Sequence, residues 1–270
     1  MNVSFCARLA ALRKSKSSVL CVGLDPDPEK MPANLLANAP LDTAVAQFCV
    51  SIIEATAPMA VAFKINFAFF EALGSRGVDV MKRVLEAIPE DVLTIADAKR
   101  GDIGNSASFY ARSVFEDLGF DSITLSPYMG EDSITPFLKY PGTCSFVLGR
   151  TSNPGGRDFQ LLQIEGKPLY MHVADRVGEW DRKSIGSAGL VVGATDIASM
   201  AELRNALPES PFLIPGVGSQ GGSPSEVMGA AGNGPVLINS SRAILYASGG
   251  TDFAKHAAEK ASKTQLELGS

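Results

Sequence analysis

The chain has 270 residues, of which 46% are hydrophobic and 20% charged, and its formal net charge is -5 at pH 7. This length and composition are typical of one large globular α/β domain whose core needs no disulfide or metal for stability. The negative charge argues against a general nucleic-acid surface. No apolar run reaches about 18 residues, so the sequence predicts no membrane span.

The cysteines and histidines are too few and too scattered for a structural metal site. The four cysteines form no CxxC pair, and His172 and His256 both fall in segments with the helical period. This spacing does not fit structural zinc, and reduced thiols are the simpler interpretation. The first residues, MNVSFCARLAALRKSKSS, place cations inside and after the apolar part, unlike a signal peptide. We therefore expect a cytoplasmic protein.

Apolar, β-rich runs recur eight times along the chain. They span residues 19–25, 60–66, 92–98, 122–127, 144–150, 189–195, 212–218 and 236–242. Near-continuous hydrophobicity of this kind is typical of parallel strands that are covered on both faces.

Segments with the helical period alternate with these runs. The first begins with Asp42 as an N-cap candidate and extends to Thr56, with its apolar residues on one stripe. The other predicted helices span residues 67–88, 106–118, 160–180, 197–207, 223–231 and 253–263, and residues 132–140 form a weaker candidate.

Eight strand–helix pairs in this length predict a (β/α)8 TIM barrel as a single domain of residues 1–270. An additional N-terminal helix precedes Val19. A doubly wound open sheet is the alternative, but its glycine-rich phosphate turn should follow the first strand, where this chain has DPDPEK. The irregular stretch 151–168 is either a rim loop or part of an interface.

Polar side chains concentrate at the carboxyl ends of the predicted strands, where barrel enzymes place their active sites. Asp25 ends the first run, Lys64 the second, and Asp97 and Lys99 the third, with Asp102 three residues further on. Asp97 and Lys99 share a face of their strand, and Lys64 should point into the same space.

The signs of this charge row alternate, which keeps both amines positively charged. An oriented ammonium group can donate a proton to a carbanion and stabilise that anion as it forms. The structural alternative is an ion-pair network that only shapes the barrel rim. Asp25 by itself is equally well explained as the start of an Asp-Pro turn.

The segments after the last two predicted strands suggest a phosphate site. The glycines of PGVGSQGGSPSE (residues 215–226), Gly218 among them, let the backbone approach a ligand closely. Ser223 is placed to cap the following helix, whose N-terminal N–H groups favour an anion. Arg242, in NSSRA, offers a bidentate fork for phosphate. Ser240 and Ser241 have no evident base, so a serine-hydrolase triad is not indicated.

DAKRGDIGNSA (residues 97–107) resembles the DxKxxDI signature of orotidine 5'-phosphate decarboxylases. VGLDPDP, AFKINFAFFEALG, TLSPYMGEDSITPFL, RTSNPGGRDFQ, PGVGSQGG and NSSRAILYA extend this resemblance, to the longer bacterial branch, over nearly the whole chain. The resemblance implies decarboxylation of orotidine 5'-monophosphate to uridine 5'-monophosphate, the last step of pyrimidine synthesis. It also implies no cofactor, no metal, and a homodimer with its two sites at the interface.

The resemblance further implies roles for the charged residues. Asp25 and Lys64 would hold ribose hydroxyls, Asp97 would lie beside the substrate carboxylate, and Lys99 would give its proton to C6 of the pyrimidine. Asp102 would reach into the partner's site.

Other residues would contact the nucleotide. Ser106 would contact the ribose from the partner chain, Ser126 would lie near the pyrimidine edge, and Arg242 would bind the phosphate. Gly218 and Gln220 would belong to a closing loop over the substrate.

Three positions depart from the pattern that we expect of this branch. They are Asn66, where glutamine is frequent, Ser126, where asparagine is frequent, and Ala243, where glycine is frequent.

Three rival functions remain open from the sequence. A magnesium-dependent sugar-phosphate decarboxylase or synthase shares the DxKxxD core on the same scaffold. A class I aldolase would use Lys64 or Lys99 as a Schiff base, which requires a deprotonated amine. A catalytically inert barrel could bind nucleotides as a sensor.

Overall fold

The computed structural model describes residues 3–217 and 223–269. Eight parallel strands close into a barrel. These strands are β1 (Leu20–Leu24), β2 (Ala62–Asn66), β3 (Leu93–Arg100), β4 (Ser122–Leu125), β5 (Cys144–Arg150), β8 (Ser187–Val192), β9 (Phe212–Pro215) and β10 (Val236–Ser240), and two short strands, β6 (Gln163–Ile164) and β7 (Lys167–Pro168), form a separate hairpin. The order around the barrel is β1-β10-β9-β8-β5-β4-β3-β2. The predicted barrel is confirmed, and each of the eight predicted runs contains or overlaps one strand.

Helices alternate with the strands. They are α1 (Phe5–Lys16), α2 (Ala33–Asn38), α3 (Leu41–Thr56), α4 (Phe67–Glu71), α5 (Gly77–Glu86), α6 (Gly104–Arg112), α7 (Leu169–Lys183), α8 (Ile197–Ala206), α9 (Pro224–Ala231), α10 (Arg242–Leu245) and α11 (Phe253–Leu268). Helix α1 is the additional N-terminal helix. Among the described residues, no helix has the length and apolar character needed to cross a membrane.

Two compact units make up the chain. Unit 1 comprises Met1–Ala11 and Lys99–Ile238, and unit 2 comprises Leu12–Ala98 and Asn239–Ser270. In unit 1, Phe5 of α1 packs edge-on against Phe146 of β5, with ring centres 5.8 Å apart. In unit 2, Phe48 of α3 stacks on Phe253 of α11 at 5.3 Å. That residues 1–270 form a single domain stays a prediction.

Two predicted helix starts are wrong. Helix α3 begins at Leu41 after Pro40, so Asp42 is not the N-cap. Asp42 lies in the first turn, where the helix dipole stabilises a negatively charged side chain. The helix predicted over 160–180 begins only at Leu169. Residues before it form a hairpin of β6 (Gln163–Ile164) and β7 (Lys167–Pro168). Glu165 and Gly166 form its turn with φ of 52° and 78°, a conformation that ends any helix.

Two further predicted helices are interrupted. Gly74, with φ of 69°, separates α4 from α5 within the segment predicted as one helix over 67–88. The weaker candidate over 132–140 forms only short 3-10 turns, at Glu131–Ser133 and Phe137–Lys139.

A buried arginine joins the segments that precede β9 and β10. Arg204 of α8 is 6% exposed, and its guanidinium carbon lies 3.7 Å from the centre of the Phe212 ring. Burial lowers the pKa of Arg204 to about 10, so the group remains a cation at neutral pH. The guanidinium donates to the backbone carbonyls of Leu207, Pro208, Ser210, Ala231 and Pro235 at 2.7–3.1 Å. It therefore fixes two connecting segments, residues 207–210 and 231–235, by hydrogen bonds rather than by an ion pair.

We predict that Arg204→Met lowers the free energy of unfolding by about 3 kcal/mol or more, because several buried carbonyls lose their donor. Arg83→Ala, at an exposed position of α5, is the matched control and should change stability by less than about 0.5 kcal/mol. Thermal and urea unfolding followed by circular dichroism measure both. Equal stability of the two variants would contradict this role.

Candidate active site

The ends of β1, β2 and β3 bring three charged side chains together in unit 2. The ladder pairs Gly23 with Lys64 and Asn66 with Asp97, so these strand ends are in register. The Lys64 Nζ lies 2.9 Å from Asp97 Oδ2 and 3.5 Å from Asp25 Oδ1. The Lys64 side chain is 5% exposed. One buried ammonium thus bridges two carboxylates at the carboxyl end of the sheet.

The carboxylates decide the charge of Lys64. Burial alone disfavours its ammonium form, but Asp25 and Asp97 outweigh that effect and raise the pKa of Lys64 above its ordinary value. Lys64 is therefore a cation at every physiological pH. A Schiff-base lysine must be deprotonated, so Lys64 is unsuited to the class I aldolase role.

Lys99 occupies an unusual backbone position in unit 1. It is the next-to-last residue of β3, is exposed, and has φ of 47°, in the left-handed region. Its N–H donates to Thr124 Oγ1 at 3.0 Å, which ties the turn to β4. Left-handed conformations at non-glycine residues are uncommon and cluster at functional sites. The structure thus places Lys99 where the backbone leaves the strand.

Asp102 and Ser106 follow on the surface of unit 1. Asp102 Oδ1 accepts a hydrogen bond from the N–H of Ile103 at 2.8 Å, and Ser106 is exposed on α6. Large apolar side chains flank them, since Ile103, Phe109 and Tyr110 are all exposed. Both predicted site residues therefore lie on a surface with unusual apolar character.

Ser126 lines a cavity of about 620 Å³ in unit 1. Its N–H donates to the carbonyl of Arg100 at 2.8 Å, which anchors the end of β4 to the segment after β3. The remaining lining is largely aromatic and aliphatic, with Tyr128, Leu148 and Phe159 among its members. Such a lining suits a flat heterocycle better than a charged group.

A polar network follows β5 and includes residues of the irregular stretch 151–168, for which the sequence predicts only a rim loop or part of an interface. Arg150 Nε donates to Asp196 Oδ2 at 3.1 Å, and its Nη1 donates to Gln160 Oε1 at 3.1 Å. Gln160 also bonds the N–H and hydroxyl of Thr151 at 2.9 and 2.8 Å. The network borders a polar cavity of about 590 Å³ that Arg157 also lines. The position of Arg150, a charged residue at the end of a buried strand, was the feature of the sequence that could have indicated this network.

The predicted phosphate residues are only partly within the described ranges. Arg242 begins α10 and is exposed, and it makes no ion pair within residues 3–217 and 223–269. Gly218 and Gln220 lie outside the described residues. Ser223 stands at the N-cap of α9, but the prediction that it caps the helix is wrong. Its hydroxyl lies 3.0 Å from Ser225 Oγ instead.

The donor set at the strand ends does not resemble a metal site. Within the described ranges, no group of three or more His, Cys, Asp or Glu side chains is arranged to hold a metal ion. Asp25 and Asp97 already share the Lys64 ammonium as their cation. A divalent ion at this place would have to compete with that ammonium group.

Comparisons with known proteins agree with this architecture. The family model described as "Orotidine 5'-phosphate decarboxylase / HUMPS family" matches residues 18–257. The chain is similar to the orotidine 5'-phosphate decarboxylase of Herpetosiphon aurantiacus, with 48% identity over 255 residues, 94% of this chain and 93% of the relative. For the enzyme of the same name in Flavobacterium johnsoniae, the identity is 47% over 258 residues, again 94% and 93%. A solved structure of Leishmania donovani OMP decarboxylase matches with a TM-score of 0.82 and 38% identity, covering 98% of this chain and 99% of the other.

We predict that Lys64→Met makes stability strongly pH-dependent. Without the ammonium, the buried carboxylate of Asp97 binds a proton more tightly in the folded than in the unfolded chain. Stability of the variant should therefore fall as pH rises from about 4 to 8, whereas the wild-type ammonium stabilises the fold throughout that range. The deficit should reach about 3 kcal/mol at pH 8.

Thermal unfolding at several pH values tests this, with Lys82→Met, on the exposed side of α5, as the matched control. A deficit that stays constant with pH would show that Lys64 contributes by packing alone.

Proposed function

The chain belongs to the orotidine 5'-phosphate decarboxylase / HUMPS family, and from this membership we propose how its own residues carry out the reaction. The protein decarboxylates orotidine 5'-monophosphate to uridine 5'-monophosphate and CO2 in pyrimidine biosynthesis. The magnesium-dependent sugar-phosphate alternative gains no support, because the relatives at 44–48% identity carry the decarboxylase name.

We assign the protonation of C6 to Lys99. Loss of CO2 leaves an anion at C6 with little delocalisation, so the site must supply positive charge and a proton. Lys64 is buried and held by two carboxylates, whereas Lys99 is exposed at the end of the same strand that carries Asp97. The buried Lys64 bridge between Asp25 and Asp97 is the observation that carries the proposal. Because Lys64 is committed to these two carboxylates, the proposal assigns the proton to the exposed Lys99.

The carboxylates have separate roles in this proposal. Asp97 is buried and lies beside the substrate carboxylate, where its charge favours departure of CO2. Asp25 and Lys64 hold ribose hydroxyls. In support, Asp25 Oδ1 has the Lys64 ammonium at 3.5 Å but accepts no hydrogen bond within the described part of the chain. A buried carboxylate oxygen held only by this long ion pair is a suitable acceptor for a hydroxyl group.

The remaining contacts bind the rest of the nucleotide. Ser126 contacts the pyrimidine edge, in keeping with its largely apolar cavity. Arg242 binds the phosphate, together with Gly218 and Gln220 of the closing loop. Binding energy from the remote phosphate can then drive closure over the reacting centre. The reaction uses no cofactor and no metal.

The proposed assembly is a homodimer in which Asp102 and Ser106 complete the partner's site. The exposed Ile103, Phe109 and Tyr110 beside them form a surface that a second copy could cover. The proposed location is the cytoplasm. All four cysteines lie in the described ranges and are free, which suits a reducing compartment.

We predict that Lys99→Ala lowers kcat by at least about 10³-fold, because both the proton and the stabilising charge are lost. Binding of uridine 5'-monophosphate should persist. Turnover is followed by the absorbance of orotidine 5'-monophosphate in excess EDTA, in which the wild type should be fully active.

Lys183→Ala, at an exposed position near the end of α7, is the matched control. Near-normal turnover by the Lys99 variant would end the assignment, and loss of wild-type activity in EDTA would favour the magnesium-dependent alternative.

The dimer proposal predicts complementation between two inactive variants. If Asp102 acts in the partner's site, a mixed dimer of Lys99→Ala and Asp102→Ala subunits contains one intact site. Random assortment should therefore restore about one quarter of wild-type activity after denaturation and refolding of the equimolar mixture. Activity no higher than that of the separately refolded variants would show that Asp102 acts within its own chain.

A further inference from the structure

Gly23 of β1 leaves a space that a side chain from the end of β10 occupies. A Cβ atom at position 23 would lie 2.0 Å from Ser241 Oγ and 2.9 Å from Asn239 Oδ1, distances that real side chains do not show. Gly23 is paired with Lys64 and stands two residues before Asp25. The Ser241 hydroxyl therefore lies over β1 beside the two residues proposed to hold the ribose.

Asn239 fixes the orientation of this hydroxyl. Asn239 is 6% exposed; its Nδ2 donates to Ser241 Oγ at 3.2 Å, and its Oδ1 accepts from Cys21 Sγ at 3.6 Å. Burial raises the pKa of Cys21 to about 12, so the thiol keeps the proton that it donates. The amide is thereby held from both ends, and its NH2 group is directed at the hydroxyl oxygen.

The Ser241 hydroxyl is also a potential hydrogen-bond donor. Because its oxygen already accepts from Asn239, the O–H is directed away from the amide. Among residues 3–217 and 223–269, that hydroxyl donates to no acceptor. Ser241 is only half-buried, so an external acceptor can reach it. An oriented donor without an internal acceptor is suited to binding a ligand oxygen.

We infer that Ser241 is a further nucleotide-binding residue, whose hydroxyl donates to the ribose 5'-phosphate part of the substrate. Asn239 is its positioning residue, and Gly23 provides the space for both. The place in the chain supports this assignment, since Ser241 directly precedes Arg242 and lies over the strand that ends in Asp25. The inference rests on the proposed function, in which Asp25 and Lys64 hold the ribose and Arg242 holds the phosphate.

The test compares inhibition of decarboxylation by ribose 5-phosphate and by uridine 5'-monophosphate. Ser241→Ala should raise both inhibition constants and KM by about tenfold, as expected for loss of a hydrogen bond to a charged or strongly polar acceptor. The kcat should change much less. Gly23→Ala should reproduce this effect, because its Cβ displaces the hydroxyl. Gly249→Ala is the matched control, since a Cβ there has no neighbour within 4 Å.

A double variant tests the positioning role of Asn239. Asn239→Ala should weaken binding of both inhibitors, and adding it to Ser241→Ala should cause no further loss, because the amide acts through the hydroxyl. Additive losses would overturn the positioning role. Circular dichroism and thermal unfolding establish that each variant is folded.

The Arg242→Ala variant distinguishes failure of the Ser241 inference from failure of the proposed phosphate site. If Arg242→Ala weakens ribose 5-phosphate binding while Ser241→Ala leaves it unchanged, the inference is wrong and the proposed phosphate site stands. If neither variant weakens binding, both are wrong. A loss in each variant supports both.

Discussion

A buried ammonium group between two carboxylates is the interaction on which the proposed site depends. Lys64 has little contact with water, and it keeps its charge only because Asp25 and Asp97 approach it from the neighbouring strands. Removal of Lys64 would take the shared cation from two carboxylates at once, whereas removal of either carboxylate leaves Lys64 paired with the other. The parallel ladder of β1, β2 and β3 sets these positions, so the register of the strands and the electrostatics of the site are one constraint. The arrangement also separates the two lysines by function. Lys64 is held between two carboxylates, whereas Lys99 is exposed near the end of β3, where the proposed function assigns it the proton transfer.

Much of the fold could be predicted because its signals are local. Each barrel strand is a short apolar run, and the carboxyl ends of parallel strands meet at one edge, which suffices to group Asp25, Lys64 and Asp97. The errors arise where a few residues override a periodic pattern. The helical period continues through 160–168, but the left-handed turn at Glu165 and Gly166 produces a hairpin.

Other features depend on atoms that are distant in the chain. The carbonyls that accept from Arg204 come from two separate segments, and no pattern in the sequence marks these segments as neighbours. The left-handed backbone of Lys99 is likewise set by its surroundings. The sequence indicates no role for Ser241, because a serine nucleophile would need a base and none is evident. The space for its hydroxyl is provided by the missing side chain of Gly23, more than 200 residues away in sequence.

The close approach of Gly23 and Ser241 means that evolutionary substitutions at the two positions depend on each other. A methyl group at 23 and the Ser241 hydroxyl in its present position cannot share the same volume, so a lineage that gained the first must have lost or moved the second. Homologues with a side chain at the position of Gly23 should therefore have, at the position of Ser241, a residue that is smaller or points in another direction.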